Sequence, residues 1–226
     1  MGLGAQDDQG AKGEAAGDAH QPVQTETEDS MLAQLPAWAA GRIRALERAN
    51  QELRARLAAA ELLARHDDIS GLPNHRAAVA VLARTIARHE RSRRPFAVLF
   101  VDGDNLKAYN ERGYEAGNRM IARLAATLAA RLRPTDYVAR WLSGDEFVAI
   151  LPGADEAVAG MVAERLRAAV EAEFAAEPIP VTISVGLALY PADGATPDAL
   201  MERAIASNMV AKKSGKNRVV TASLAS

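Results

Sequence analysis

Two acidic clusters hold the side chains best suited to chemistry. Asp102-Gly103-Asp104-Asn105 follows directly on an otherwise apolar run, and Asp145-Glu146 follows Ser143-Gly144. A donor set made only of oxygens suits Mg²⁺ or Mn²⁺ rather than zinc. Acids at loop positions are also commonly just solvated. Two clusters, each at a glycine-marked turn, favour one shared site. Basic groups complete the set. Lys107 follows the first cluster, and Lys212, Lys213 and Lys216 gather where the last expected helix stops at Gly215. The helix dipole alone also favours lysines there. Metals and lysines together are what a nucleoside triphosphate requires. Two cations can activate a hydroxyl, bridge the phosphates and stabilise a leaving pyrophosphate.

A defined set of elements must position these groups. The run Phe96-Ala97-Val98-Leu99-Phe100-Val101 reads as a buried strand that delivers the first cluster at its end. Two further strands are expected near 137–142 and 146–151, with Ser143-Gly144 as a tight hairpin between them. A fourth spans 181–188, and a short fifth lies near 217–222. Helices are expected at about 74–91, capped by Asn74, and at about 115–132, 154–173 and 196–213. The core order is β-α-β-β-α-β. That is a mixed α/β (α+β), ferredoxin-like fold with a central sheet flanked by helices. In this plan the first and third strands are central neighbours, so both acidic clusters meet at one sheet edge.

The residues ahead of this domain have other characters. The chain has 226 residues, no cysteine, 49% hydrophobic residues and a formal net charge of -2. Thiolate metal sites, disulfides and a cysteine nucleophile are excluded. Residues 1–30 carry seven acids and one base, Lys12, and read as a disordered acidic tail. Residues 31–66 carry a heptad, with a positions at Ile43, Asn50, Leu57 and Ala64 and d positions at Leu46, Leu53 and Ala60. In a parallel pair Arg42 would meet Glu47 and Arg56 would meet Glu61, opposite in sign both times. The expectation is a coiled-coil dimerisation helix; the alternative is a lone amphipathic helix lying on its own domain. No basic field points to nucleic acid, and no apolar run is long enough to span a membrane. With no secretory signal pattern, a cytoplasmic location is expected.

From Asp67 onward the sequence resembles the GGDEF domain family, the diguanylate cyclases. The resemblance covers about 67–222 within an expected domain of 67–226. It rests on Asp67-Asp68-Ile69-Ser70-Gly71-Leu72-Pro73-Asn74 and on Phe100-Val101-Asp102-Gly103-Asp104-Asn105-Leu106-Lys107 with Asn110. Gly113-Tyr114-Glu115-Ala116-Gly117-Asn118, Ser143-Gly144-Asp145-Glu146-Phe147, Thr182-Ile183-Ser184-Val185-Gly186 and Ala211-Lys212-Lys213-Ser214-Gly215-Lys216-Asn217-Arg218 follow in order.

The resemblance implies a palm-like fold and a homodimer through residues 31–66. Each subunit would hold one GTP, and each 3′-hydroxyl would attack the partner's α-phosphate to give cyclic di-GMP and pyrophosphate. Asp102 and Asp145 would hold Mg²⁺ or Mn²⁺ with the Gly103 carbonyl, and Glu146 would assist the metal or the deprotonation. Asn105, Leu106, Lys107, Lys212 and Lys216 would hold the phosphates, and Asn110 and Asn118 would read the base. Arg133 and Asp136 match an inhibitory site for the product.

Five departures are visible. Ser143 replaces the first glycine of the signature, giving SGDEF, and puts a side chain where the backbone approaches the nucleotide. Asn118 stands where the family usually has Asp, which would weaken guanine preference. The loop from Asn110 to Gly113 is one residue short, and one extra residue precedes Ser143. Gly103 replaces a bulky apolar residue and would loosen its turn. Three functions follow: an active diguanylate cyclase, a cyclase with altered purine use making cyclic GMP-AMP, or a degenerate module that binds GTP or cyclic di-GMP without turnover. No sensor domain is expected beside the tail and the heptad.

Overall fold

The computed structural model describes residues 35–142 and 144–224. The acidic tail and Ser143 lie outside the described residues. The chain falls into two units, 1–55 and 56–226, whose boundary lies inside helix α1, Ala37–Leu63. Along α1 the heptad leucines Leu46, Leu53 and Leu57 are 58%, 64% and 60% exposed.

The second unit is built on a five-stranded sheet. Its strands are β1 (Phe96–Asp104), β2 (Tyr137–Arg140), β3 (Glu146–Pro152), β4 (Thr182–Tyr190) and β5 (Val219–Thr221), in the order β2-β3-β1-β4-β5. The strand β1 is central, antiparallel to both β3 and β4, while β4 and β5 run parallel. It is buried along its whole length, which explains its unbroken apolar run. Alternate residues serve two cores. Leu99 and Val101 join Leu124, Leu128, Leu166 and Val170 from helices α4 (Tyr114–Ala130) and α5 (Glu156–Glu173). Val98 and Phe100 join Leu82, Ile86, Leu200 and Ala204 from α2 (His75–Ser92) and α6 (Pro197–Lys213).

Local signals set the helix starts. The side chains of Asn74, Asp155 and Thr196 accept from the N–H groups of Ala77, Val158 and Ala199, and so cap α2, α5 and α6. Two features depart from expectation. A single short turn of helix, α3 (Lys107–Asn110), follows β1. The hairpin between β2 and β3 is also wider than two residues. The Trp141 N–H still donates to the Glu146 carbonyl at 2.8 Å, so the pairing of β2 with β3 continues past Arg140 and the reversal lies beyond Trp141. The cause is the neighbouring strand: the Asp145 carbonyl accepts the Gly103 N–H at 3.0 Å and is drawn toward β1.

Gly186 lets α6 lie directly on β4. A Cβ there would sit 1.9 Å from the Ala204 carbonyl oxygen and 2.4 Å from the Asn208 nitrogen. Because these are backbone atoms, Gly186→Ala is expected to destabilise the domain by about 3 kcal/mol. The melting temperature should fall by about 6–12 °C. A Tm within 2 °C of the parent would contradict this contact.

Candidate functional site

The acidic clusters meet because of strand register. Asp102 lies opposite Glu146 of β3 on one side and opposite Ser184 of β4 on the other. The Gly103–Asp145 backbone bond brings the signature turn against the same strand end. Asp102 Oδ1 is buried and has no aligned hydrogen-bond partner among the described residues. Lys212 Nζ lies 2.6 Å from it as an ion pair. Burial pushes the Asp102 carboxyl up to about 6; Lys212 opposes the shift, and the Asp145 and Glu146 charges add to it. Burial likewise raises the Asp145 carboxyl, with Asp104 adding to it, and raises that of Glu146, with Asp145 adding to it. Carboxylates are thus crowded together at some cost, as sites for cations and proton transfer often are.

Beside them opens a cleft of about 560 Å³, lined by Gly103, Asn105, Lys107, Asp145, Lys212 and Lys216 among others. That volume suits a nucleotide-sized ligand. Its floor turns sharply at Asn105, which sits at φ +68°. The Asn105 side chain donates to the Pro180 carbonyl at 3.2 Å and accepts from Lys216 Nζ at 3.1 Å. After α6 the chain reverses through Gly215, Lys216 and Asn217, all at positive φ.

Asp104 fastens this reversal. Only 1% exposed, it accepts from Ser184 Oγ, from Thr182 Oγ1 and from the Asn217 N–H at 3.1 Å. Gly103 does not loosen its turn. Leu106 Cδ1 would be 2.3 Å from a Cβ at Gly103, and Asp145 Cβ 3.0 Å, so other side chains have closed into the space. Leu106 is accordingly buried, and the Tyr109 hydroxyl donates to the Ile179 carbonyl at 2.7 Å, pinning α3.

The remaining expected site residues lie elsewhere. Asn110 ends α3, and its side chain is not described. Asn118 is half-buried on α4 and does not line the cleft. Arg133 and Asp136 form the turn before β2. There the Asp136 carboxylate accepts the Arg133 N–H at 3.0 Å, and the Arg133 side chain is exposed. Sequence reading missed Glu111 and Ile179, which line the cleft, and gave Asp104 no role. Alternation along β1 puts Asp104 on the same side as Asp102 and was the signal available.

Among the described residues no three His, Asp or Glu side chains form a metal cage. The donor set still fits a hard divalent ion that binds through one or two carboxylates and substrate phosphates. Burial and mutual repulsion raise the Asp102, Asp145 and Glu146 carboxyls even with Lys212 beside Asp102, and a bound cation would relieve that repulsion.

Residues 64–218 match the family model "Diguanylate cyclase, GGDEF domain". The chain belongs to the GGDEF domain family. Among GGDEF relatives, it is 37% identical over 175 residues to the bifunctional diguanylate cyclase/cyclic di-GMP phosphodiesterase MucR of Pseudomonas aeruginosa, covering 76% of this chain and 24% of MucR. It is 32% identical to the diguanylate cyclase DgcP of the same organism, covering 92% of this chain and 31% of DgcP. The chain therefore spans about a quarter to a third of these GGDEF relatives. A crystal structure of the coiled coil and GGDEF domain of DgcB from Caulobacter crescentus, in complex with c-di-GMP, aligns with a TM-score of 0.73 at 25% identity. That alignment covers 80% of this chain and 97% of the DgcB chain. No described helix of this GGDEF protein is long and apolar enough to cross a membrane.

Proposed function

We propose that the chain is a diguanylate cyclase. It joins two GTP molecules into one cyclic di-GMP, as each 3′-hydroxyl oxygen bonds to the other nucleotide's α-phosphorus and a pyrophosphate leaves. The observation that carries this reading is a nucleotide-sized cleft lined by Asp145, Lys107, Lys212 and Lys216, with Asp102 ion-paired to Lys212 at its edge and Glu146 opposite Asp102 in register. Lys107, Lys212 and Lys216 offer ammonium donors to the β- and γ-phosphates, and backbone N–H groups near Asn105 and Leu106 add to them. Glu146, with its carboxyl held above the usual range, is suited to take the proton of the attacking hydroxyl. Asp102, Asp145 and the Gly103 carbonyl would hold Mg²⁺ or Mn²⁺, which would lower the hydroxyl pKa and offset phosphate charge. Asn110 at the end of α3 and Asn118 on α4, which is outside the cleft lining, would contact a base that extends past the phosphates.

One cleft holds one nucleotide, so two chains must face each other. Residues 31–66 would supply that homodimer, ahead of a catalytic domain at 67–226. The GTP pool places the work in the cytoplasm. Arg133 and Asp136 would bind product, so Arg133→Ala is expected to raise the product concentration needed for half-inhibition at least about tenfold, the loss of one charged contact. Unchanged inhibition would remove that site.

The reading is tested by incubating the protein with GTP, ATP and an equal mixture, plus Mg²⁺ or Mn²⁺, and analysing products by mass spectrometry. Cyclic di-GMP is expected as the main product from GTP and from the mixture. A dominant mixed dinucleotide would transfer the assignment to a cyclic GMP-AMP synthase. No cyclic dinucleotide from any mixture would overturn it in favour of a binding module.

A further inference from the structure

Arg140 is the last residue of β2, and its side chain enters none of the roles above. It is only 6% exposed, and each of its three guanidinium nitrogens donates a hydrogen bond. Nη1 donates to both carboxylate oxygens of Asp67, at 2.8 and 2.9 Å. Nε and Nη2 both donate to the Gly144 carbonyl, at 3.1 and 2.7 Å. Asp67 belongs to the turn that leads from α1 into the domain, and Gly144 belongs to the signature turn. One buried cation thus bridges two turns far apart in sequence.

Each end of the bridge is itself anchored. Asp67 also accepts from the Ser70 N–H at 2.8 Å and the Ser70 hydroxyl at 2.7 Å. The same lead-in turn is tied back to the residue following α1, because Asn74 Nδ2 donates to the Ala64 carbonyl at 2.8 Å. It is tied forward to β2, because the Arg140 N–H donates to the Pro73 carbonyl at 2.9 Å. At the other end, Gly144 sits at φ +70°, where glycine has wide conformational freedom. Its two successors, Asp145 and Glu146, have carbonyls held by the Gly103 and Trp141 N–H groups. The peptide before them is held by Arg140.

We propose that Arg140 is a positioning residue that ties the lead-in turn at Asp67 to the Gly144 carbonyl and so fixes the aim of Asp145 and Glu146. The proposal rests on the cyclase reading for its effect on turnover. Its structural content stands separately. A planar fork that serves two acceptors on opposite sides is a task for arginine, and a lysine ammonium could reach only one of them in good geometry. Small displacements of catalytic groups have large effects on rate and small effects on ground-state binding.

The test uses the full chain with Arg140→Gln, Arg140→Lys, Asp67→Asn and the Asp67→Asn/Arg140→Gln double variant. Arg140→Gln is expected to lower kcat about 30–100-fold with KM for GTP within about threefold of the parent. Arg140→Lys should recover part of the loss. The double variant should be no worse than the more damaged single variant, because both remove one link. A second readout is hydrogen exchange at the Gly103 and Trp141 amides. Both are expected to exchange at least about tenfold faster in Asp67→Asn as well as in Arg140→Gln.

Accelerated exchange in a protein that makes no cyclic dinucleotide would retain the positioning role and reject the cyclase reading. Exchange at these amides unchanged by Asp67→Asn would overturn the link. So would a rise in KM at constant kcat, which would make Arg140 a substrate contact instead.

Discussion

Asp102→Asn is expected to lower cyclase turnover by about 10³-fold or more and, in the same protein, to raise the melting temperature at pH 7. The first effect follows from losing one charge-bearing group at the reacting phosphate. The second follows from what that group does in the metal-free fold. Its carboxyl is pushed from the ordinary 3.8 up to about 6, chiefly by burial and despite its ion pair with Lys212. A proton is therefore bound more tightly in the folded chain than in the unfolded one. The stabilising contribution is fully present below about pH 4 and is lost as pH climbs through about 6.

At pH 7 the charged Asp102 opposes folding by about 3 kcal/mol. The side chain is 12% exposed, so solvent screening discounts this little. Asparagine keeps the shape and removes the charge. Calorimetry in EDTA should show Asp102→Asn melting several degrees above the parent at pH 7.5, with the gap closing toward pH 4.5. A variant that is inactive and also less stable at pH 7.5 would mean that Asp102 is structural, not a strained site carboxylate.

The second large effect concerns the dimer. Replacing both Leu46 and Leu53 with glutamate in the full chain is expected to give a monomer and to lower turnover at about 0.1 μM protein by about 10²–10³-fold. Both leucines fall at d positions, and both are more than half exposed in a single chain. Two like charges per strand on the seam would oppose pairing. A tether that holds two half-sites together supplies an effective concentration near the millimolar range, which free monomers at sub-micromolar concentration lack. The loss should shrink as protein concentration rises. Sedimentation and initial rates measured across that range check it, and an unchanged rate at the lowest concentration would contradict a heptad-borne dimer.

The sequence was most legible where local pattern and burial agree. The apolar run from Phe96 announced the central strand, because a strand buried on both faces carries no polar interruption. The two acidic clusters could be placed together because the strand plan makes the first and third strands neighbours, and Asp102 indeed lies opposite Glu146. What escaped was set by contacts remote in sequence. The strand runs on to Asp104 because β4 supplies partners as far as Thr182, which no local signal encodes. The signature turn widens because the Asp145 carbonyl bonds to Gly103 on another strand. Gly103 on its own implies a loose turn, but the Leu106 side chain fills the space. The link from Arg140 to Asp67 joins residues 73 apart in sequence and carries no local signal. The four residues of α3 are too few to show a helical period.

The measurement that bears most directly on cyclisation by the carboxylate cleft is ³¹P NMR of GTP and Mg²⁺ with the full chain and with Asp145→Asn, both verified as folded. The parent should release two pyrophosphates for each cyclic di-GMP formed, while Asp145→Asn leaves GTP essentially unchanged over the same period. Release of inorganic phosphate and GDP by the parent, or full turnover by Asp145→Asn, would contradict it.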